Sequence, residues 1–152
     1  MRNILIISVL LFTPLHNLFS QSKVITGRVI DDNLVTLPSV SILIKDTVEV
    51  ARTDFEGYFQ VEIPVYEKKL SFEMVGLDRT SIELVNNCEV VEVVMMLSST
   101  FDFISFRRAE RKRRKRFNEL PKIYEQAFEK SIFTNKYPCY IREFEPFYLN
   151  EN

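Results

Sequence analysis

Residues 53–64, TDFEGYFQVEIP, place a tight turn directly in front of a strand. Phe59, Val61 and Ile63 alternate with Tyr58, Gln60 and Glu62, and Pro64 ends the run. A period of two gives a strand one buried and one wetted face. The turn has its own chemistry: Asp54 can accept hydrogen bonds from backbone amides, and Gly57 can take a positive φ that other residues resist.

The same period recurs on both sides of this stretch. Val24 to Ile30 ends at the polar cluster Asp31-Asp32-Asn33, and Val40, Ile42 and Ile44 alternate with Ser41, Leu43 and Lys45. Leu70, Phe72 and Met74 alternate with Ser71, Glu73 and Val75 before Gly76, Ile82 and Leu84 follow, and Val90 to Leu97 closes the series. With a short strand over Val48 to Arg52, this pattern predicts about seven strands and no intervening helix. The expected fold is mainly β: a seven-stranded antiparallel sandwich of two sheets over residues 21–98. The last strand is unusual. Val91, Val93, Met95 and Leu97 share one face, yet Val90, Val94 and Met96 make the other face apolar too, with only Glu92 polar. A strand apolar on both faces expects cover on both.

Five segments of this β region resemble the carboxypeptidase regulatory-like domain, a transthyretin-like (prealbumin-like) sandwich. They are Gly27-Arg28-Val29-Ile30-Asp31, Leu37-Pro38-Ser39-Val40-Ser41-Ile42, Thr53 to Phe59, Leu70 to Gly76, and Val91 to Leu97. The most specific is Thr-Asp-x-x-Gly-x-Phe, carried by Asp54 and Gly57 as a structural turn motif. Ser39 stands where the family often has glycine after Leu-Pro, and Leu77 where an aromatic usually follows the late glycine. The resemblance covers residues 23 to 98. It implies a non-catalytic accessory unit of the kind found beside peptidases and at the N-terminus of bacterial outer-membrane transporters.

Beyond Ser98 the period becomes helical. Thr100 is a candidate cap for a helix through Phe101, Phe103, Ile104, Phe106 and Ala109 into a basic run. A second amphipathic helix is expected from Leu120, Ile123, Tyr124, Ala127, Phe128 and Ser131, with Asn118 and Pro121 marking a break or restart. Phe133, Tyr137, Tyr140, Phe144, Phe147 and Tyr148 follow. Aromatics that dense are expected to lie on the sandwich or on a partner. Residues 99–152 are thus read as a basic helix, a second helix and an aromatic tail.

The N-terminus reads as a secretory signal: Arg2, an apolar run from Ile4 to Phe12, Pro14, then Ser20-Gln21 as the expected cleavage point; the alternative is a retained N-terminal anchor, since Leu18 and Phe19 are bulky for a cleavage site. The apolar run is well short of the roughly 20 residues that cross a bilayer as a helix. Removing residues 1–20 removes His16, the one histidine, so the mature chain has no imidazole for a catalytic pair or metal site. Asp54 and Glu56 with Asp31 and Asp32 could form a weak calcium site, but are read as a turn aspartate with solvated neighbours. No catalytic residue, metal or cofactor is expected. Cys88 and Cys139 are the only cysteines. In an oxidising compartment they can bridge and tie the tail to the sandwich, or they can remain two buried thiols.

Charge is unevenly spread. Residues 21–100 carry seven Lys and Arg against thirteen Asp and Glu, whereas residues 101–116 carry eight against two. The basic residues are Arg107, Arg108, Arg111, Lys112, Arg113, Arg114, Lys115 and Arg116. Export disfavours nucleic acid as their partner and leaves an anionic lipid surface or an envelope protein; the alternative is a solvated helix face paired with the acidic sandwich. At nearly every position of a helix, they cannot all point one way. The reading is a non-enzymatic exported binding module of the bacterial cell envelope, periplasmic or outer-membrane associated, with the basic and aromatic tail as its recognition segment. The alternative is a structural protein whose tail caps the sandwich and which docks on an outer-membrane transporter or other envelope component. Oligomeric state is not encoded in any pattern found.

Overall fold

Strand formation follows the alternation, with the partners set by contacts between distant segments. The computed structural model describes residues 21–85, 87–98 and 104–146. Among them the order is β1 (Ser22–Asp31), β2 (Ser41–Ile44), β3 (Val48–Arg52), β4 (Tyr58–Pro64), β5 (Lys69–Glu73), β6 (Thr80–Leu84), β7 (Val90–Met95), α1 (Phe106–Glu129) and β8 (Tyr140–Ile141). A three-stranded sheet has the order β4-β1-β7, and a five-stranded sheet the order β3-β2-β5-β6-β8. Their facing surfaces share one core containing Ile25, Val29, Val61, Ile63, Phe72 and Val93. Phe59 meets Phe72 edge-on across it, with ring centroids 5.7 Å apart.

Two expectations are corrected. The sandwich is not wholly antiparallel, because β1 and β7 pair in parallel, from Thr26 opposite Val90 to Asp31 opposite Met95. Alternation reports which face is buried and reads the same in either direction, so it carries no strand polarity. Seven strands lie within residues 22–95, and the tail adds an eighth, β8, antiparallel to β6. The β1–β7 approach is close at Gly27, where a Cβ would come 1.8 Å from the Val91 carbonyl oxygen. Ser39, standing where glycine is common, takes a φ of 59°. That is the left-handed region glycine enters without strain.

β7 receives its second cover. Val91, Val93 and Met95 join the inter-sheet core, while Val94 and Ile30 of β1 point out and are buried under Tyr124, Ala127 and Phe133 of the tail. Tyr124 and Phe133 are in ring contact at 4.8 Å.

Among the described residues the tail holds one helix, not the two expected: α1 runs through Pro121. An interior proline removes a helical hydrogen bond and costs about 3 kcal/mol. Arg113, Phe117, Leu120, Tyr124 and Ala127 form one inward stripe that passes the proline, so both halves of α1 are held by packing. Phe128 lies half out of the expected apolar face at 38% exposure. At the end of α1 the chain reverses at Ser131, whose φ is 57°, and the Ile132 and Phe133 N–H groups both donate to the Ala127 carbonyl. Ser105 occupies the N-cap position. The expected cap Thr100, with Phe101, Phe103, Phe147, Tyr148 and residues 1–20, on which the expected secretory signal falls, lies outside the described residues.

Candidate interaction surface

The turn motif is structural. Asp54 Oδ1 accepts the backbone N–H of Glu56 at 2.9 Å and of Tyr58 at 2.8 Å. Gly57 has a φ of 81°, and a Cβ there would stand 2.5 Å from the Val29 carbonyl oxygen. The neighbouring acids are engaged separately: Asp31 accepts the N–H groups of Asn33 and Val35, both at 2.8 Å, and Asp32 pairs with Arg116. Among the described residues no group of three or more His, Cys, Asp or Glu side chains is placed to hold a metal.

Cys88 and Cys139 are joined as a disulfide with their Cα atoms 5.4 Å apart. Cys88 precedes β7 by two residues and Cys139 immediately precedes β8, so the bridge pins the far end of the tail beside the start of β7.

The fold divides the basic run. Arg113, only 6% exposed, pairs through Nε with buried Asp78 at 3.1 Å and donates to the Glu145 carbonyl at 3.2 Å. Arg116 pairs with Asp32 and donates to the Leu97 carbonyl at 2.9 Å. These two cations fasten the helix to acidic loops of the sandwich. A buried pair adds little net stability, but removing one partner strands the other charge, which is strongly destabilising. Arg114 stacks on Phe144, 4.5 Å from its ring centroid.

Arg107, Arg108, Arg111 and Lys115 fall on the side of α1 opposite Arg113, and all four are exposed. Lys112 is exposed on the flank of that stripe. The first turn of the helix contains no acidic residue. Cations there oppose the helix dipole, so helix stability does not account for them. Phe106, at the start of α1, is 71% exposed beside them.

Three contacts lay beyond sequence reasoning. Glu92, the lone polar residue on the outer face of β7, is buried at 3% exposure. Its carboxylate accepts the Thr134 N–H at 2.6 Å, the Thr134 hydroxyl at 3.0 Å and the Asn135 N–H at 3.0 Å. A buried carboxylate requires donors, which its isolation on an apolar face signals without naming them. The free edge of β7 is closed by the tail: Tyr140 Oη donates to the Glu92 carbonyl at 2.9 Å and Arg142 to the Val94 carbonyl at 2.6 Å. Unpaired edge carbonyls invite another chain, and here side chains occupy them. Arg28 Nη1 reaches the tail as well, donating to the Ile132 carbonyl at 3.0 Å.

Among the described residues no helix is long and apolar enough to cross a membrane. No curated protein matches the chain. Among known families, the CarboxypepD_reg-like domain matches residues 25–102, which are 78 of the 152. The match spans β1 to β7 and includes the Asp54–Gly57 turn whose bonds are described above. The chain therefore belongs to the CarboxypepD_reg-like domain family, whose domain is a non-catalytic unit of regulatory or binding type.

Proposed function

We propose that this protein is an exported, non-enzymatic binding module of the cell envelope, and that it attaches to a surface of phosphate-bearing lipid head groups through α1. One observation carries the reading: the fold turns Arg113 and Arg116 inward and leaves Arg107, Arg108, Arg111 and Lys115 together on the outward side. Exposed Phe106 at the same end adds an aromatic suited to a membrane interface. Cleavage after Ser20 would deliver the module to the periplasm or the outer membrane, with a transthyretin-like sandwich as the rigid scaffold.

Co-sedimentation with vesicles tests this reading. The native chain should pellet with vesicles containing anionic phospholipid or lipopolysaccharide at low salt, and be released as salt rises. Each basic residue near such a surface contributes about 1 kcal/mol, so changing all four outward cations to Gln should weaken binding by about a thousandfold. Equal binding by this variant and the native chain overturns the proposal, as does capture by neutral vesicles alone.

A second reading is favoured by the β7 edge. A tail that closes this edge and buries Val94 suits an assembly component that docks on a transporter or another envelope protein through a remaining surface. Crosslinking in envelope fractions that yields a discrete protein adduct, together with no vesicle binding, would favour it.

A further inference from the structure

A groove of about 420 Å³ lies between α1 and the chain that returns from it, walled by Phe117, Leu120, Tyr124, Tyr137 and Pro138. Its volume is within the range of about 300–1,000 Å³ typical of small-molecule sites, and its walls are mostly aromatic and aliphatic, as such sites usually are. The polar groups at its margin are unbalanced. Lys122, Lys136 and Arg142 line it with a single carboxylate, Glu125, and that carboxylate is already paired with Lys136 at 3.2 Å.

Among the described residues neither Lys122 nor Arg142 makes a direct ion pair, although Glu145 and Asp78 act on Arg142 from further off. Arg142 is the more telling of the two. Its contacts are the Val94 carbonyl at 2.6 Å, the Thr80 hydroxyl at 3.0 Å and the Phe117 ring face at 5.5 Å. Two of its five N–H donors are thereby occupied, by neutral oxygens. Burial pulls the guanidinium pKa below its ordinary value, outweighing the opposite pull of Tyr140, Glu145 and Asp78. A desolvated cation whose direct contacts are neutral oxygens, on an apolar wall, favours a ligand that brings an anion into contact together with an apolar body.

We propose that this groove binds a single-chain amphiphile with an anionic head, its acyl chain against the Leu120, Tyr124 and Pro138 walls and its head between Arg142 and Lys122. Free fatty acid and a lysophospholipid share that chemistry. The site is separate from the outward stripe, which the proposal does not use.

Isothermal titration calorimetry on the full chain tests it with laurate and lauroyl lysophosphatidylglycerol, each below its micelle concentration, and with neutral dodecanol below its solubility limit. Saturable binding of laurate or the lysolipid at one per chain is expected, and the tighter of the two identifies the source. Dodecanol should bind at least tenfold more weakly, because it can form no charge-assisted hydrogen bond with either cation. Lys122→Glu, an exposed rim change, should weaken the anionic ligand about tenfold, and Tyr137→Ser should weaken it too. The variant with Gln at Arg107, Arg108, Arg111 and Lys115 should bind as the native chain does. Absence of saturable binding by both anionic ligands overturns the proposal. So does dodecanol binding equal to theirs, or an unchanged affinity in Lys122→Glu.

Discussion

Replacing Glu92 by alanine separates a tail that belongs to the fold from one that merely rests on it. The carboxylate receives two backbone donors, Thr134 N–H at 2.6 Å and Asn135 N–H at 3.0 Å, besides the Thr134 hydroxyl at 3.0 Å. A hydrogen bond to a charged group contributes about 1.5–3 kcal/mol. Thr134 and Asn135 are themselves exposed, so water can partly replace the lost acceptor, and the low end of that range applies. Two backbone bonds at that end amount to about 3 kcal/mol. For a chain of this size the melting temperature should fall by roughly 6–12 °C.

Urea unfolding followed by circular dichroism would give the loss of stability, and hydrogen exchange would give its location. The Thr134 and Asn135 amides should exchange slowly in the native chain and rapidly in Glu92→Ala. Glu92→Gln should lose less, since its amide oxygen can still accept. A loss below about 1 kcal/mol, the scale of ordinary surface substitutions, would refute the reasoning. So would native exchange rates at both amides in the alanine variant.

Two further outcomes follow from the tail. The Cys88–Cys139 bridge spans a sequence separation of 51, for which loop closure predicts about 4 kcal/mol of stabilisation. The Cys88→Ala, Cys139→Ala double variant should unfold at correspondingly lower urea, and a thiol assay of the denatured native chain should find no free thiol; two would refute the pairing. Burial raises the pKa of Tyr124 and Tyr140 above the ordinary tyrosine value, with Glu92 nearby acting in the same direction on both. The folded state then holds protons that the unfolded state releases, so the stability they contribute is complete below about pH 10 and declines as pH rises beyond it. Absorbance of tyrosinate should show these two phenols ionising together with alkaline unfolding, and their ionisation in a chain still folded by circular dichroism would contradict the assignment.

Much of the sandwich was legible because its signals are local. Alternation at Phe59, Val61 and Ile63 named the buried face, and the Asp54–Gly57 turn could be read from the bonds an aspartate and a glycine make within five residues. The double-sided apolarity of β7 required a cover before any cover was seen. The parallel β1–β7 pair, the short β8 and the continuity of α1 through Pro121 were not legible, because direction, edge pairing and tolerance of a proline depend on what lies opposite.

The basic run marks the same boundary. Its composition establishes eight cations on a helix that cannot all share a face, and this follows from helical geometry alone. Which of them face inward is decided by Asp78, 35 residues from Arg113, and by Asp32, 84 residues from Arg116. Local preference acts over a few residues, whereas a buried charge is placed by partners that can replace its water. Only the folded chain brings those partners near, and only then does the outward stripe of Arg107, Arg108, Arg111 and Lys115 exist as a surface.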